Sequence, residues 1–587
     1  MEQRDSILEL LLSRPELTNV NKLLPEQAIP KKGVASAYEG VLHVEEKEVA
    51  IQVILTTYFP LEKPSFYLRD PLVLDFIPHV QRNGFICYAH DEGLILDIDN
   101  PAGIVDGCLD KVIETLTSGV RGENLHHFYE EFGRYWIETA NYGVCLSFVS
   151  FDSYVKYFRG AYITELKQLV FADDEDAIST GIRRFYNQEL SLIPCRIGIY
   201  IPLRAPIYPP RHDSFWSVKT LRDLIFANIS GSNRQRLRKF LKSKSINKNA
   251  REFIMLAVPS AQKQSTLVGL EFSEFDSLPK HHKLRAFSHP LRQVDARFKM
   301  TPYSVRRLDM AYILPRGGTT VSLADKRVLL VGCGSVGGFI GMELARAGVG
   351  QITLVDDDEL KAENIFRHVL GASHLDSLKV VGLKQEIESK YPYVNVSIEP
   401  ARIETLIANK SLAVESFDLA IVALGDATIE MFFNKHIHSH AGCPPAVFAW
   451  NEPLGIGGHA LVTKNNDLSG CYECLHRDPD QPLYNKASFA APGQFFGLTL
   501  TGCGSMFTPY GAMDSVQTAV LATRLAVRTL RQQEEDNPVL SWKGDASVFQ
   551  QKYKTSDRYN NLSVEQLFES RYQYKQEGCR VCGYRSQ

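Results

Sequence analysis

The sequence predicts a multidomain chain of α/β and α+β architecture, and three observations carry that prediction. Its 587 residues are too many for one core and imply three or four domains of ordinary size. The first 125 residues read helix, strands, irregular loop, helix, which is an α+β order. From residue 327, "RVLLVGCGSVGGFIGMELARAGVGQITLVDDDEL" reads strand, glycine turn, helix, strand, a βαβ unit.

In the first unit, 1–125, "MEQRDSILELLLSRPEL" is an amphipathic helix with acidic residues among its apolar ones. "YEGVLHVEEKEVAIQVILTTYFP" and "KPSFYLRD" alternate, or run β-branched and aromatic, as hairpin strands do. The loop "RNGFICYAH" (82–90) follows and holds a solitary thiol, Cys87, whose nearest other cysteine is Cys108. "AGIVDGCLDKVIETLTSG" closes the unit as a helix, with Gly119 expected just past its end. In the second unit, 126–300, strands "CRIGIYIPL", "REFIMLAVPS" and "STLVGLEF" alternate with helical stretches and predict an α/β linker domain. Its basic helical run "RQRLRKFLKSKS" (234–245) reads as a solvated helix face, because the aromatic interleaving of a nucleic-acid surface is missing. The third unit, 301–587, contains the βαβ segment and a further buried strand, "FDLAIVALGDAT", ending near Asp426.

Composition bounds the function. An apolar fraction of 44% and a charged fraction of 23% are those of a soluble globular protein. A net charge of −3 commits the chain electrostatically to neither nucleic acid nor anionic membrane. The N-terminus lacks the basic start and cleavage site of a signal peptide, and no apolar run reaches the roughly 18 residues of a membrane helix. Eleven cysteines, an odd number at ordinary density, argue against a disulfide framework and for a cytoplasmic chain with reduced thiols.

Gly332, Gly334 and Gly337 form G-x-G-x-x-G directly after a strand and at a helix start, where backbone N–H groups and the helix N-terminus favour phosphate. Asp356 ends the second strand, 22 positions after Gly334, where a carboxylate accepts from ribose hydroxyls. Alone, this pattern favours a dinucleotide oxidoreductase. Asn364, Arg367 and Lys379, gathered just after that strand, suit a triphosphate better, and Asp426 at the end of a later strand suits Mg2+. Taken singly, each charge is equally a surface ion pair; taken together they point to ATP.

Two C-x-x-C pairs, Cys471 with Cys474 and Cys579 with Cys582, are the two knuckles of a four-thiolate structural zinc site that ties the C-terminal tail to its domain. Such a closed site has no catalytic position. Cys503 is different: in "TLTGCGSMFTPYGAMDSVQTAVLATRLAV" glycines flank it ahead of a long helix, the context of an exposed nucleophile. Cys145, Cys195 and Cys443 read as packed thiols.

The run from Val328 to Val396, with "GCGSVGG", "AGVG" (347–350), Asp356, Asp358, Asn364, Arg367, Lys379 and Asp426, resembles the adenylation domain of ubiquitin-activating-type enzymes, a superfamily that includes the ThiF/MoeB-type activators of sulfur carriers. His368 stands where glutamine is usual. The resemblance implies a Rossmann-like fold in which Asp356 and Asp358 lie at the nucleotide, Asn364, Arg367 and Lys379 hold the phosphates, and Asp426 holds the metal. The family's upstream arginine could be Arg306 or Arg307, a choice that stays open. The cysteine quartet has the layout of the zinc clip of sulfur-carrier activators, and the Cys503 loop resembles the active-site loop of autophagy-type activators.

Residues 35–120 resemble the ubiquitin-conjugating fold. Pro60 and Pro64 match its "YPF-x-x-P" turn, Pro78 and His79 match the Pro and Asn of "HPN", and Gly84, Ile86 and Cys87 match "G-x-I-C" with its acceptor thiol. Histidine in place of that asparagine can still donate a hydrogen bond toward an oxyanion. A conjugating-type domain, a linker and an activating-type domain in one chain resemble the bacterial CD-NTase-associated fusions of CBASS antiphage operons.

That resemblance implies a ubiquitin-transferase-like enzyme that adenylates a protein C-terminus, carries it as a thioester on Cys503 and then Cys87, and joins it to lysine amines. The implied substrate is the operon's cGAS/DncV-like nucleotidyltransferase, whose second-messenger synthesis is primed. The resemblance further implies that a JAMM-type protease reverses the bond and that the enzyme is a homodimer. Three other readings compete. A sulfur-carrier adenylyltransferase would leave Cys87 dispensable, an NAD-dependent oxidoreductase would leave Arg367, Lys379 and both lone thiols idle, and a zinc-stapled adaptor would need neither thiol.

Overall fold

The computed structural model describes residues 2–29, 33–140, 143–243, 245–246, 251–260, 265–273, 287–292, 298–318, 321–465, 470–476, 484–499 and 506–583. The chain divides into two compact units, 1–179 with 190–309, and 180–189 with 310–587. Mixed α/β and α+β architecture, as expected from the sequence, is what both contain.

The first unit opens with helix α1 (Glu2–Ser13) and a four-stranded antiparallel meander, β1 (Leu17–Leu23), β2 (Val34–Val44), β3 (Lys47–Thr56) and β4 (Ser65–Leu68). The alternation in β2 buries Tyr38, Leu42 and Val44 on one face, and α2 (Pro101–Arg121) packs its apolar stripe, with Val105, Leu109, Val112 and Leu116, into the same core. Asn100 caps the start of α2 by accepting from the Gly103 N–H at 3.0 Å. The expected stop at Gly119 is corrected. Gly119 lies inside the helix against Ile77, where a Cβ would sit 3.0 Å from its side chain, and Gly122 is the residue that ends the helix, at φ +76°.

Two short helices, α3 (His127–Glu130) and α4 (Phe132–Thr139), follow. Next come β5 (Val144–Ser147), β6 (Lys156–Ile163), β7 (Gln168–Ala172), α5 (Glu175–Tyr186), β8 (Leu192–Pro202), α6 (Val218–Asn228), α7 (Gly231–Ser243), β9 (Glu252–Val258), β10 (Thr266–Ser273) and β11 (Lys299–Arg307). The strands close into a seven-stranded barrel in the order β9-β10-β11-β5-β7-β6-β8. The sequence named three of these seven strands, β8, β9 and β10, within an α/β unit; strand pattern alone does not encode closure, because each strand carries the same β-branched signal in a sheet and in a barrel.

The second unit is a seven-stranded sheet. Its parallel part is β12 (Arg327–Val331), β13 (Gln351–Val355), β14 (Asn395–Glu399), β15 (Leu419–Val422) and β16 (Ala446–Asn451); the antiparallel β17 (Gly457–Thr463) and β18 (Val539–Lys543) complete it. Spatial order is β14-β13-β12-β15-β16-β17-β18, so the direction of winding reverses between β12 and β15. Such a switch point opens a crevice at the carboxyl ends of the strands. Helices α8 (Ser335–Arg346), α9 (Lys379–Lys390) and α10 (Ala427–Ser439) connect the parallel strands, and α11 (Ala512–Leu530) packs on α8 and on β16 and β17 through Ala519, Ala522, Leu525 and Ala526. Among the described residues no helix is long and apolar enough to cross a membrane.

Candidate active sites

The crevice of the second unit is a cavity of about 570 Å³ lined by Gly334, Ser335, Asn364, Arg367, His368 and Lys379 together with residues from β16 and the segment 507–510. Three features of the sequence build its floor. Gly332 sits at φ +87°, and a Cβ on Gly337 would lie 1.8 Å from the Gly332 carbonyl, so both positions take glycine alone and the turn can enter α8 tightly. Asp356 fastens that turn: one carboxylate oxygen accepts from the Cys333 N–H at 2.7 Å and the other from the Asp358 N–H at 2.8 Å. His368 closes it from the far side. Its Nδ1 accepts from the Leu370 N–H at 3.1 Å, which makes Nε2 the protonated nitrogen, donating to the Cys333 carbonyl at 2.7 Å. Burial keeps this ring neutral and lowers its pKa to about 4.

Asn364, Arg367 and Lys379, expected to hold phosphates, meet on the cavity wall with Gly334. Lys379 opens α9, is 8% exposed, and donates through Nζ to Asp358 at 2.8 Å; Asp358 therefore orients the lysine. The Arg367 guanidinium lies over the rings of Phe507 and Tyr510, at 5.6 and 5.4 Å. Asp356 and Asp358 are not among the lining residues. Asp426 caps α10 with one oxygen, accepting from the N–H groups of Thr428 and Ile429, while Gly425 and Ala427 beside it line the cavity. Sequence reading missed Glu430 and Tyr472 on the same wall: the Tyr472 hydroxyl donates to Glu430 at 2.5 Å, and burial pushes that carboxyl up to about 7. Only the place of Glu430 in the first turn of α10 and that of Tyr472 inside the C-x-x-C could have hinted at them.

Cys471, Cys474, Cys579 and Cys582 converge, with all four sulfurs within 4.8 Å of one another and pairs at 3.9 Å (Cys471–Cys579) and 3.7 Å (Cys474–Cys582). Zinc–sulfur bonds of about 2.3 Å at tetrahedral angles separate the sulfurs by about 3.8 Å, so the quartet fits the expected metal. Cys503 lies outside the described residues.

Cys87 opens onto a cavity of about 750 Å³ in the first unit, with His79, Lys63, His90, Glu131, Arg134 and Tyr135 on its wall. Its position follows from the loop. The Cys87 N–H donates to the His79 carbonyl at 2.8 Å, and Val80 and Ile86 bridge, so the two segments lie side by side. His79 holds a left-handed backbone, φ +67°, and its N–H donates to the Tyr135 hydroxyl at 2.7 Å. Its Nε2 is 2.7 Å from Nδ1 of His127, and its Nδ1 is 3.6 Å from Glu131. Burial, then the neighbouring His127 and His90, lower the His79 pKa to about 4. The Cys87 thiol is raised above its ordinary value, by burial first and then by Glu131. A half-buried sulfur beside a carboxylate holds its proton more tightly. His127, Glu131 and Tyr135 lie beyond the expected boundary at 125 and went unnoticed, because no motif links them to the loop they touch.

The two sites define a class: an enzyme, an ATP-dependent transferase that fuses an E2-like domain to a ThiF-like adenylation domain. Residues 29–144 match the prokaryotic E2 family B, and residues 308–531 match the ThiF family. Over most of its length the chain is similar to the ATP-dependent ubiquitin transferase-like protein Cap2. The Pseudomonas aeruginosa Cap2 is 24% identical over 80% of this chain and 83% of its own, and the Escherichia coli Cap2 is 23% identical over 84% and 87%. The Saccharomyces cerevisiae adenylyltransferase and sulfurtransferase UBA4 is 30% identical over 32% of this chain and 41% of its own. Among solved structures, E. coli MccB is similar at 17% identity and a TM-score of 0.29, covering 40% of this chain and 64% of that one, too loose a likeness to bear on function.

Proposed function

We propose that this enzyme activates the C-terminus of a protein with ATP, carries it as a thioester first on Cys503 and then on Cys87, and transfers it to lysine amines of target proteins. The observation that carries this reading is the open cavity around Cys87, lined by His79 and Glu131, in the same chain as a phosphate-suited cavity holding Asn364, Arg367 and Lys379. Neither half is useful alone: a carboxylate is a poor electrophile, and a thiol cannot displace hydroxide from it.

In the first step a substrate carboxylate oxygen attacks the α-phosphorus of ATP and pyrophosphate leaves, giving an acyl adenylate. Arg367 and Lys379 take up charge that develops on the phosphates, and the N-terminus of α8 adds its N–H groups. Asp426 would hold Mg2+, which when bound neutralises phosphate charge. A thiolate, assigned to Cys503, then attacks the acyl carbon and AMP leaves. Thioester exchange passes the acyl group to the Cys87 sulfur, with the Cys503 thiolate as leaving group.

At Cys87 the raised thiol pKa favours the acylated over the thiolate form and makes Cys87 a holder rather than a spontaneous nucleophile. His79, kept neutral by burial and 2.7 Å from His127, supplies what it lacks. An imidazole nitrogen can accept the thiol proton during loading and the lysine proton during discharge, while an N–H supports the tetrahedral oxyanion. Structural Zn2+ would be held by Cys471, Cys474, Cys579 and Cys582 with no part in these steps.

The substrate favoured by the Cap2 likeness is the C-terminus of a cGAS/DncV-like nucleotidyltransferase, whose conjugation would prime CBASS antiviral signalling in the cytoplasm. A JAMM-type protease would reverse it, and the working form would be a homodimer. The test is a non-reducing gel with ATP and that nucleotidyltransferase. Thiol-sensitive adducts should require Cys503, and Cys87→Ala should remove one while the other persists; adducts that need Cys503 but are indifferent to Cys87 overturn the relay in favour of a sulfur-carrier role, and indifference to both thiols overturns it in favour of an adaptor.

A further inference from the structure

Within the first unit, helices α6 and α7 and the turn at 291–292 line an open cavity of about 480 Å³, with Arg238, Lys242 and Arg292 exposed. Its wall carries Arg222, Arg234, Arg238, Lys242 and Arg292, opposed by one carboxylate among the described residues, Asp223. Five cations less one anion leave four positive charges facing one small space.

The spacing explains how they converge. Arg234, Arg238 and Lys242 recur every four residues along one face of α7, and Arg222 and Phe226 stand four apart on α6. The guanidinium groups of Arg222 and Arg238 both lean on the Phe226 ring, at 5.7 and 5.8 Å from its centre, and Arg234 donates to the Phe226 carbonyl at 2.7 Å. One aromatic residue thus collects three arginines. Yet their hydrogen-bonding capacity is not used up: among the described residues, the buried Nε atoms of Arg222 and Arg234 have no hydrogen-bond partner. Like charges four residues apart repel, and buried donors without partners are costly. An anion between the helices would relieve both.

We propose that this cavity binds a soluble small molecule carrying two or more phosphate groups. A single carboxylate would leave most of the charge unbalanced, whereas two phosphates bring about −3 to −4 at neutral pH. Tetrahedral phosphate oxygens also match guanidinium forks arriving from several directions. The volume lies within the range of small-ligand sites. Nucleic acid is a poorer fit, because single strands need an aromatic face on which to stack and guanidinium groups already lean on Phe226. A membrane surface is poorer still: Leu241 and Leu291, the aliphatic lining residues, are buried.

The test is calorimetric titration of the full chain with inorganic pyrophosphate at physiological salt. Arg367→Ala and Lys379→Ala are present throughout, because the adenylation site releases pyrophosphate and would bind it too. Binding should persist in that background and weaken about a hundredfold in Arg222→Gln with Arg238→Gln, since each charge-assisted contact is worth roughly a factor of ten or more. Inorganic phosphate should bind at least about ten times more weakly than pyrophosphate. If the double variant fails to fold, Arg292→Gln, at an exposed turn position, should still weaken pyrophosphate about tenfold. Unchanged affinity in these variants overturns the proposal. So does binding confined to a single-stranded oligonucleotide or to vesicles containing a phosphoinositide. In an otherwise unaltered chain Arg222→Gln should leave ATP–pyrophosphate exchange unchanged.

Discussion

The nucleotide cavity and the thiol pocket solve the same problem, holding reactive groups in an open space, from different materials. The phosphate-suited side of the nucleotide cavity comes from one stretch, 334–379, whose helix start and cations are fixed by consecutive elements, while 423–430, β16, Tyr472 and 507–510 contribute to the remaining wall. The thiol pocket joins a loop at 79–91 to helices α3 and α4 some forty residues later. In the first, charge does the work: Arg367 and Lys379 face the space where phosphates would lie. In the second, the groups are kept neutral by burial, with His79 held near 4 and the Cys87 thiol above its ordinary value. Charge suits the stabilisation of an anionic substrate; neutrality suits moving one proton at a time.

The difference can be broken from its most robust end. Chelation should melt the second unit selectively, since four-thiolate zinc contributes about 10–16 kcal/mol to folding in small peptides. Hydrogen exchange on the full chain should then deprotect β17 and α11 while β2 and β3 stay protected. Loss of protection in both units alike would remove the distinction. Next, Arg367→Ala should lower ATP–pyrophosphate exchange about 10²–10³-fold, the usual cost of one transition-state donor, whereas Cys87→Ala should leave exchange within about twofold. Smaller again is the effect expected at the His79–His127 pair. His127→Ala should slow discharge of the Cys87 adduct about 10–100-fold with exchange intact. It should also raise the His79 pKa, because it removes the second-largest cause of its lowering. NMR titration of His79 would show this, and an unmoved titration would mean that His127 only packs.

The same contrast explains what could be read from the sequence. The glycines, Asn364, Arg367 and Lys379 were legible because a βαβ unit converts sequence spacing directly into spatial position. The cysteine quartet was legible because C-x-x-C knuckles carry their own geometry, although 105 residues separate Cys474 from Cys579. Cys87 and His79 could be found only by likeness to another fold. Their partners His127, Glu131 and Tyr135 could not, since contact between an irregular loop and distant short helices leaves no periodic trace. Barrel closure in the middle of the chain was hidden for a related reason: it is set by which strands pair, and pairing is long-range. Gly119 was misread because a glycine required for close packing looks the same in sequence as one required for a positive φ.

The smallest expected effect tests whether neutrality is also used in the nucleotide cavity. His368→Gln installs the residue usual at this position, and glutamine can reproduce both native bonds: its NH₂ donates to the Cys333 carbonyl and its oxygen accepts from the Leu370 N–H. Exchange at pH 7 should therefore stay within about twofold of the parent. The two chains should part only in acid. His368 titrates near 6.5 when unfolded and near 4 when folded, so its folded state refuses a proton that the unfolded chain accepts. The associated stability is fully present above about 6.5 and is lost as pH falls toward 4, a window worth on the order of 1–2 kcal/mol by pH 5. Glutamine does not titrate, so His368→Gln should melt later than the parent at pH 5 and alongside it at pH 7.5. Parallel melting curves at both pH values would mean that the histidine is not held neutral, and that the two cavities differ more deeply than their geometry suggests.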